Sequence, residues 1–306
     1  MIKVAIAGTS GLAQYIGYYL STQTSHQFIF LSRNPNPGLI AKGWQVIAVD
    51  YGNSSDIEYK LTGVDTVIST ISGQSQLALI DAAAQVHVRR FVPSEFEGRP
   101  SARLQHDPLD RGKKAALNRL QHHQNYGMEY AAFVCGIFYE RFAPGGMAAF
   151  QIGNGTYVTG EGDYLMDIRN KTAQIPYYDH TGQEICICMT SAEDVARFVV
   201  AALDLPYWPT EFRMAGERMA LGDIVKIAEI MSGTPFNRTI HTLQSLQTSL
   251  SYAKAVGNVP QQWRLHQLIV TTRGCYDFVD TSLNGMVDVQ PKTFQDWLFA
   301  VWSQEL

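Results

Sequence analysis

The chain has 306 residues, 46% of them hydrophobic, with 24 Lys and Arg against 28 Asp and Glu and a formal net charge of -4. That length and apolar content bury a sizeable core, as one large domain or two closely packed lobes, and argue against a disordered chain. The mixed charges contain no long basic run, which sets nucleic acid aside as a partner. An opening strand at Ile2 leaves no room for a signal peptide, and no apolar run reaches the roughly 18 residues of a membrane span. The expectation is a soluble, cytoplasmic protein without membrane contact, monomeric or homodimeric, acting on a small molecule. Cys135, Cys186, Cys188 and Cys275 have no metal-ligand spacing and read as reduced, small buried side chains.

A first strand over 3–7 runs into Gly8-Thr9-Ser10-Gly11-Leu12-Ala13-Gln14 and a helix over 12–21. An apolar strand, two glycines three apart and a helix N-terminus form the usual phosphate cradle of a nucleotide cofactor. Gly8, Thr9, Ser10, Gly11 and Leu12 are therefore candidate cofactor ligands. The third glycine of the fingerprint, which brings helix and strand together, is replaced by Gln14. The competing reading is a tight strand-to-helix turn with no ligand. A second strand, 27–32, ends at Arg33. In a dinucleotide fold this end lies beside the adenosine ribose, where an acidic residue reads NAD and an arginine pairs with the 2′-phosphate of NADP. Strand three, 44–49, ends at Asp50, placed to border the adenine. Strand four, 66–71, leads into Ser72 and Gly73, small residues that let a cofactor run along the carboxyl edge of the sheet. Strands at 90–93 and 130–135 follow, and helices are expected at 55–61, 74–86 and 109–124. Near-continuous apolar strands alternating with helices predict a doubly wound parallel sheet covered on both faces.

After Pro144-Gly145-Gly146 the chain becomes turn-rich, with Gly153, Gly155, Gly160 and Gly162. A strand over 184–189 is followed by Ser191-Ala192-Glu193-Asp194, which has the form of a capping box opening a helix over 195–203. Pro206 and Pro209 close that helix. Amphipathic helices are expected at 221–231 and about 243–256, and a last one at 292–302, whose Phe294, Trp297, Leu298, Val301 and Trp302 have the spacing of a core face. The fold class is α/β: a Rossmann-like lobe over 1–150 and a smaller C-terminal α/β substrate lobe over 151–306, with about 184–204 packing back on the first.

Strand five continues as Arg90-Phe91-Val92-Pro93-Ser94-Glu95-Phe96-Glu97-Gly98. This run resembles the PSEFG signature of the isoflavone reductase-like, or NmrA-like, branch of the atypical short-chain dehydrogenases. The same branch is similar in its N-terminal GxxG loop and its valine- and serine-rich fourth strand. The resemblance is dense over 1–142 and thinner beyond. It implies that the loop holds a pyrophosphate, that Arg33 selects NADP(H), and that Ser94 and Phe96 sit beside the nicotinamide. It also implies a lysine in the following helix that assists proton transfer or positions the nicotinamide ribose, here Lys113 or Lys114. Leu109, Ala116, Leu117 and Leu120 define that helix's apolar face; Lys113 falls near its centre and Lys114 about 100° round. Cys135-Gly136-Ile137-Phe138 matches a segment near the nicotinamide but lacks the asparagine often found there.

No rival constellation is as complete. The histidines His106, His122, His123, His180, His241 and His266 are scattered, and adjacent helix positions such as 122 and 123 diverge by about 100°. There is no GxSxG elbow, and Tyr126 and Tyr130 have no lysine four residues on. The leading expectation is an NADPH-dependent reductase of a small aromatic or polyketide-like metabolite, with Tyr157, Tyr164, Phe236, Trp263 and Phe278 supplying aromatic surface. Two alternatives stay open: an NADP-sensing regulator without catalysis, and a non-redox isomerase or cyclase on the same fold.

Overall fold

A computed structural model describes every residue except Ser10, His106, His180 and 304–306. The chain forms two compact units. One comprises Met1–Phe96, Asp110–Val134 and Ala196–Phe212; the other comprises Glu97–Leu109, Cys135–Val195 and Arg213–Leu306.

The first unit is built on six parallel strands: β1 (Lys3–Ala7), β2 (Gln27–Ser32), β3 (Val46–Ala48), β4 (Thr66–Ser69), β5 (Arg90–Val92) and β6 (Glu129–Tyr130). Their order is β3-β2-β1-β4-β5-β6, the doubly wound arrangement, with the reversal between β1 and β4. The helices are α1 (Leu12–Gln23), α2 (Pro37–Ala41), α3 (Ser54–Leu61), α4 (Gln74–Gln85) and α5 (Lys113–Gln124). Ala5, Ile29, Leu31, Val67 and Phe91 pack with Ile57, Leu79, Ile80 and Leu120 of the helices in one buried cluster, and the alternate residues Val4, Ile6, Phe30, Ile68 and Val92 are also buried. Burial of both strand faces explains their unbroken apolar character.

Three sequence expectations need correction here. Strand four stops at Ser69, where the amide of Thr70 makes the last ladder bond to the Ala7 carbonyl at 2.8 Å and its hydroxyl joins it at 2.9 Å. The strand expected over 130–135 is two strands. Ala131 N–H still donates to Phe91 O, but Ala132 N–H donates to Thr210 O, so β7 (Ala132–Val134) leaves the main sheet and pairs with the strand at Glu211–Arg213. The helix expected from 109 begins at Lys113, because Arg111 and Gly112 have φ of 50° and 83° and cannot continue a right-handed helix. Helix α2, capped by Asn36 with a proline in its first turn, was not expected at all.

A buried arginine ties this unit together. Arg90 donates to Glu129 and to the carbonyls of Leu203, Leu205 and Pro206, and lies over the Trp208 ring at 4.7 Å. The planar, five-donor guanidinium suits this role where an ammonium would not.

In the second unit the chain forms β8 (Ile137–Phe138), α6 (Gly146–Ala149), β9 (Met166–Asp167), β10 (Thr172–Ile175) and β11 (Cys186–Thr190), then α7 (Ala192–Ala202), whose later turns belong to the first unit. After β12 (Glu211–Arg213) come β13 (Glu217–Ala220), α8 (Leu221–Ser232), β14 (Asn237–Ile240), α9 (Leu243–Ala255), α10 (Val259–Thr272) and α11 (Phe294–Trp302). Two three-stranded sheets result, β13-β11-β8 and β14-β10-β9. Phe294, Leu298 and Trp302 of α11 are buried with Tyr139, Phe142, Tyr164 and Leu246, so that helix is core as its spacing predicts. Helix α10 and the short strands β9, β10 and β12 to β14 were not expected from sequence. Among the described residues no helix is long and apolar enough to cross a membrane.

Candidate functional site

The loop after β1 is shaped by its neighbours. Gly8 has φ of 109°, and a Cβ there would stand 2.2 Å from Thr70 Oγ1, so no side chain fits. Gly11 is the N-cap of α1 with φ of 48°; it gives no side-chain cap, and the first turn holds no acidic residue. Among the described residues neither the N-cap nor the first turn offers an acceptor or an acidic side chain to the positive end of the helix dipole, the kind of helix end that suits an anion. Thr9 is half-buried and Leu12 is buried beneath the turn. Ser10 lies outside the described residues.

The glycine that brings helix and sheet together is Gly17, one turn further on than the fingerprint places it. A Cβ at Gly17 would lie 2.5 Å from Phe30 Cζ, and Phe30 in turn stacks on Trp44 at 5.5 Å. Gln14 is therefore not a packing defect. Its half-buried side chain turns back to the loop, donating to Thr9 O at 3.1 Å.

Arg33 and Asp50 line one open pocket of about 900 Å³, with Tyr51, Asn53, Asp56, Lys60, Gln74 and Ser75. Arg33 is exposed at the end of β2. The Asp50 carboxylate accepts from Gly52 N–H at 2.9 Å and so shapes its own turn. Asp56 accepts from the Asp50 amide and from Lys60, and these bonds, Lys60 foremost, lower its pKa. Tyr51 donates to Leu31 O; burial raises its pKa, and the Arg33 charge opposes that shift. The pocket thus offers a cation and an aromatic wall at the end of β2, the strand paired with β1.

Further along the same sheet edge, Ser72 is half-buried after β4. Ser94 donates its amide to Oε1 of Gln76 at 2.7 Å, and Gln76 is only 1% exposed. Gln76 carries no sequence signal that singles it out. Phe96 is buried against Phe133, which packs on Trp208 and Phe212.

Lys113 and Lys114 occupy the first two positions of α5. Cations at a helix N-terminus oppose the macrodipole, and Asp110 offsets this by accepting from the amides of Gly112 and Lys114. Lys113 is half-buried and Lys114 exposed. A Cβ on Gly112 would lie 3.5 Å from Gly73 Cα, which sets the start of α5 against the loop between β4 and α4. Leu109 precedes the helix and does not define its face.

A six-stranded doubly wound sheet with a glycine-cornered loop at its switch point is the architecture of the dinucleotide-binding folds. The model of the NmrA-like family matches residues 3–279, and the chain belongs to that family. Among its relatives, the oxidoreductase BOA1 of Botryotinia fuckeliana is 32% identical over 257 residues, 76% of this chain and 77% of the relative. The NADPH-dependent quinone oxidoreductase QOR2 of Escherichia coli, solved with NADPH, shares the fold with a TM-score of 0.72 at 16% identity, covering 98% of this chain and 99% of that one. The leucoanthocyanidin reductase of Vitis vinifera, solved as a ternary complex, has a TM-score of 0.68 at 18% identity over the same shares.

Proposed function

We propose that this chain is an NADPH-dependent reductase of a small aromatic or polyketide-like metabolite. The observation that carries the reading is the turn cornered by Gly8 and Gly11, opening a helix without a side-chain cap, after a strand that pairs with the one leading into Arg33. The family, and a relative named as an oxidoreductase, support it. The amides of 8–12 would hold the pyrophosphate, Arg33 the 2′-phosphate, and Asp50 and Tyr51 would wall the adenosine. NADPH bound there supplies a hydride. Ser94, braced by Gln76, borders the nicotinamide end, and Lys113 delivers the proton to the reduced substrate, directly or through water. Lys114 is exposed and is the weaker candidate.

The second unit is proposed to bind the substrate. Of its aromatics, Tyr164, Phe236 and Phe278 are buried and hold that unit together, whereas Tyr157 is 52% exposed and meets Trp263 edge to face at 5.7 Å. Tyr157 and Trp263 are therefore the pair offered to an aromatic ligand. The test is NADPH oxidation, followed by absorbance, against a panel of aromatic enones, quinones and keto-bearing polyketide precursors. Consumption with at least one class is expected. Tight NADPH binding with no consumption across the panel would favour the regulator reading instead.

A further inference from the structure

Gln14 stands where a dinucleotide fingerprint has glycine, and its side chain makes two bonds. Its amide donates to the Thr9 carbonyl at 3.1 Å, and its Oε1 accepts from Lys42 Nζ at 3.2 Å. Lys42 lies over the Trp44 ring at 5.0 Å. Trp44 stacks on Phe30, the ring that occupies the space left by Gly17. A chain of contacts therefore runs from the phosphate loop through Gln14, Lys42 and Trp44 to the buried face of β2. Thr9 lies between the two glycines whose backbone freedom shapes the cradle, and it is the loop residue that this chain of contacts restrains. A glycine at 14 would leave the Thr9 carbonyl without that donor and the loop freer before binding.

The bond to Thr9 is part-buried and the bond from Lys42 is exposed, settings in which a hydrogen bond adds little to global stability. Their effect falls on the loop. A segment already held in its binding conformation does not lose that freedom when a ligand arrives, so affinity rises without a new contact to the ligand. We propose that Gln14 is a positioning residue: in place of the third glycine it tethers Thr9 and so pre-organises the Gly8–Thr9 backbone for the cofactor pyrophosphate. This rests on the NADPH reading. It runs against the fingerprint, because restoring the glycine should weaken binding.

The test is calorimetric titration of NADPH, and separately of adenosine 2′-monophosphate, into wild type, Gln14→Ala and Gln14→Gly. Melting temperatures and amide hydrogen exchange over 8–13 are measured on the cofactor-free proteins. Gln14→Ala keeps a good helix former, so it separates the tether from helix propensity. Both variants should bind NADPH about fivefold more weakly and exchange faster over 8–13. The melting temperature of Gln14→Ala and its affinity for adenosine 2′-monophosphate, which has no pyrophosphate, should stay at wild-type values. Variants that bind NADPH as tightly as wild type overturn this inference alone. A wild type that binds no NADPH overturns the reading beneath it and this inference with it. Equal weakening toward both ligands assigns Gln14 a general structural role and also overturns the proposal.

Discussion

Helix α1 opens on Gly11 with no side chain over its first amides, whereas α7 opens on Ser191, which accepts from the Asp194 amide and donates to the Asp194 carboxylate. Beside α7 the buried Glu140 places both carboxyl oxygens on Ala192 N–H, at 2.9 and 3.1 Å. Helix α11 is filled in the same way: Thr293 caps it and Glu217 accepts from Phe294 N–H at 2.6 Å. The same partial positive charge is present at each N-terminus. At α7 and α11 the protein supplies its own oxygen atoms and turns that charge into stability. At α1 neither the N-cap nor the first turn supplies one, and we propose that the charge is left for a ligand. Helix α5 is a third case, with lysines at its first positions and Asp110 as counterweight. Of these two lysines the half-buried Lys113 is the one proposed above to deliver the proton.

Each kind of helix end can be altered by one substitution. The largest effect is expected at α5: Lys113→Met should lower turnover at least a hundredfold. Its melting temperature should stay level or rise slightly, since a cation is removed from a helix start. A parallel loss of turnover and stability would return Lys113 to structure.

At the filled end, Glu140→Ala leaves a buried amide without its acceptor and should cost about 2 kcal/mol in denaturant unfolding. The wild type should also lose stability as pH rises. Burial pushes the Glu140 pKa from an ordinary 4.5 to about 8, with Ala192 N–H opposing the shift and the nearby acids Asp194 and Glu193 adding to it. Between those values the native protein keeps a proton that the unfolded chain has released. The contribution is full below about 4.5 and is lost as pH climbs through about 8. Glu140→Gln should flatten that slope; an unchanged slope would place the titration elsewhere.

The smallest of the three effects is expected at the open end. Arg33→Ala should weaken NADPH about tenfold through loss of a charge-assisted contact, with unfolding unchanged.

The first unit was legible because its signals are local. Lys3–Ala7 and Gln27–Ser32 are unbroken apolar runs ended by turn residues, and the sequence reading and the structure agree on them residue for residue. The family followed from the 90–98 run. What stayed hidden depends on distant partners. The break between β6 and β7 is set by whether Phe91 or Thr210 offers the next carbonyl. The packing role of Gly17 exists only opposite Phe30, and the bonds of Gln14 and Gln76 join positions with no periodic relation. Strand β14 was invisible for another reason: all four of its residues are exposed, so it has no apolar alternation to read.

We propose that the open N-terminus of α1 and Arg33, just past the end of the adjacent strand β2, together form the site for a 2′-phosphorylated dinucleotide. Its most direct test is calorimetric titration of NADPH and NADH into wild type and Arg33→Ala. Wild type should bind NADPH at least about tenfold more tightly than NADH, and the preference should disappear in the variant while NADH affinity is unchanged. Equal affinities in wild type, or a preference that survives the loss of Arg33, would contradict it.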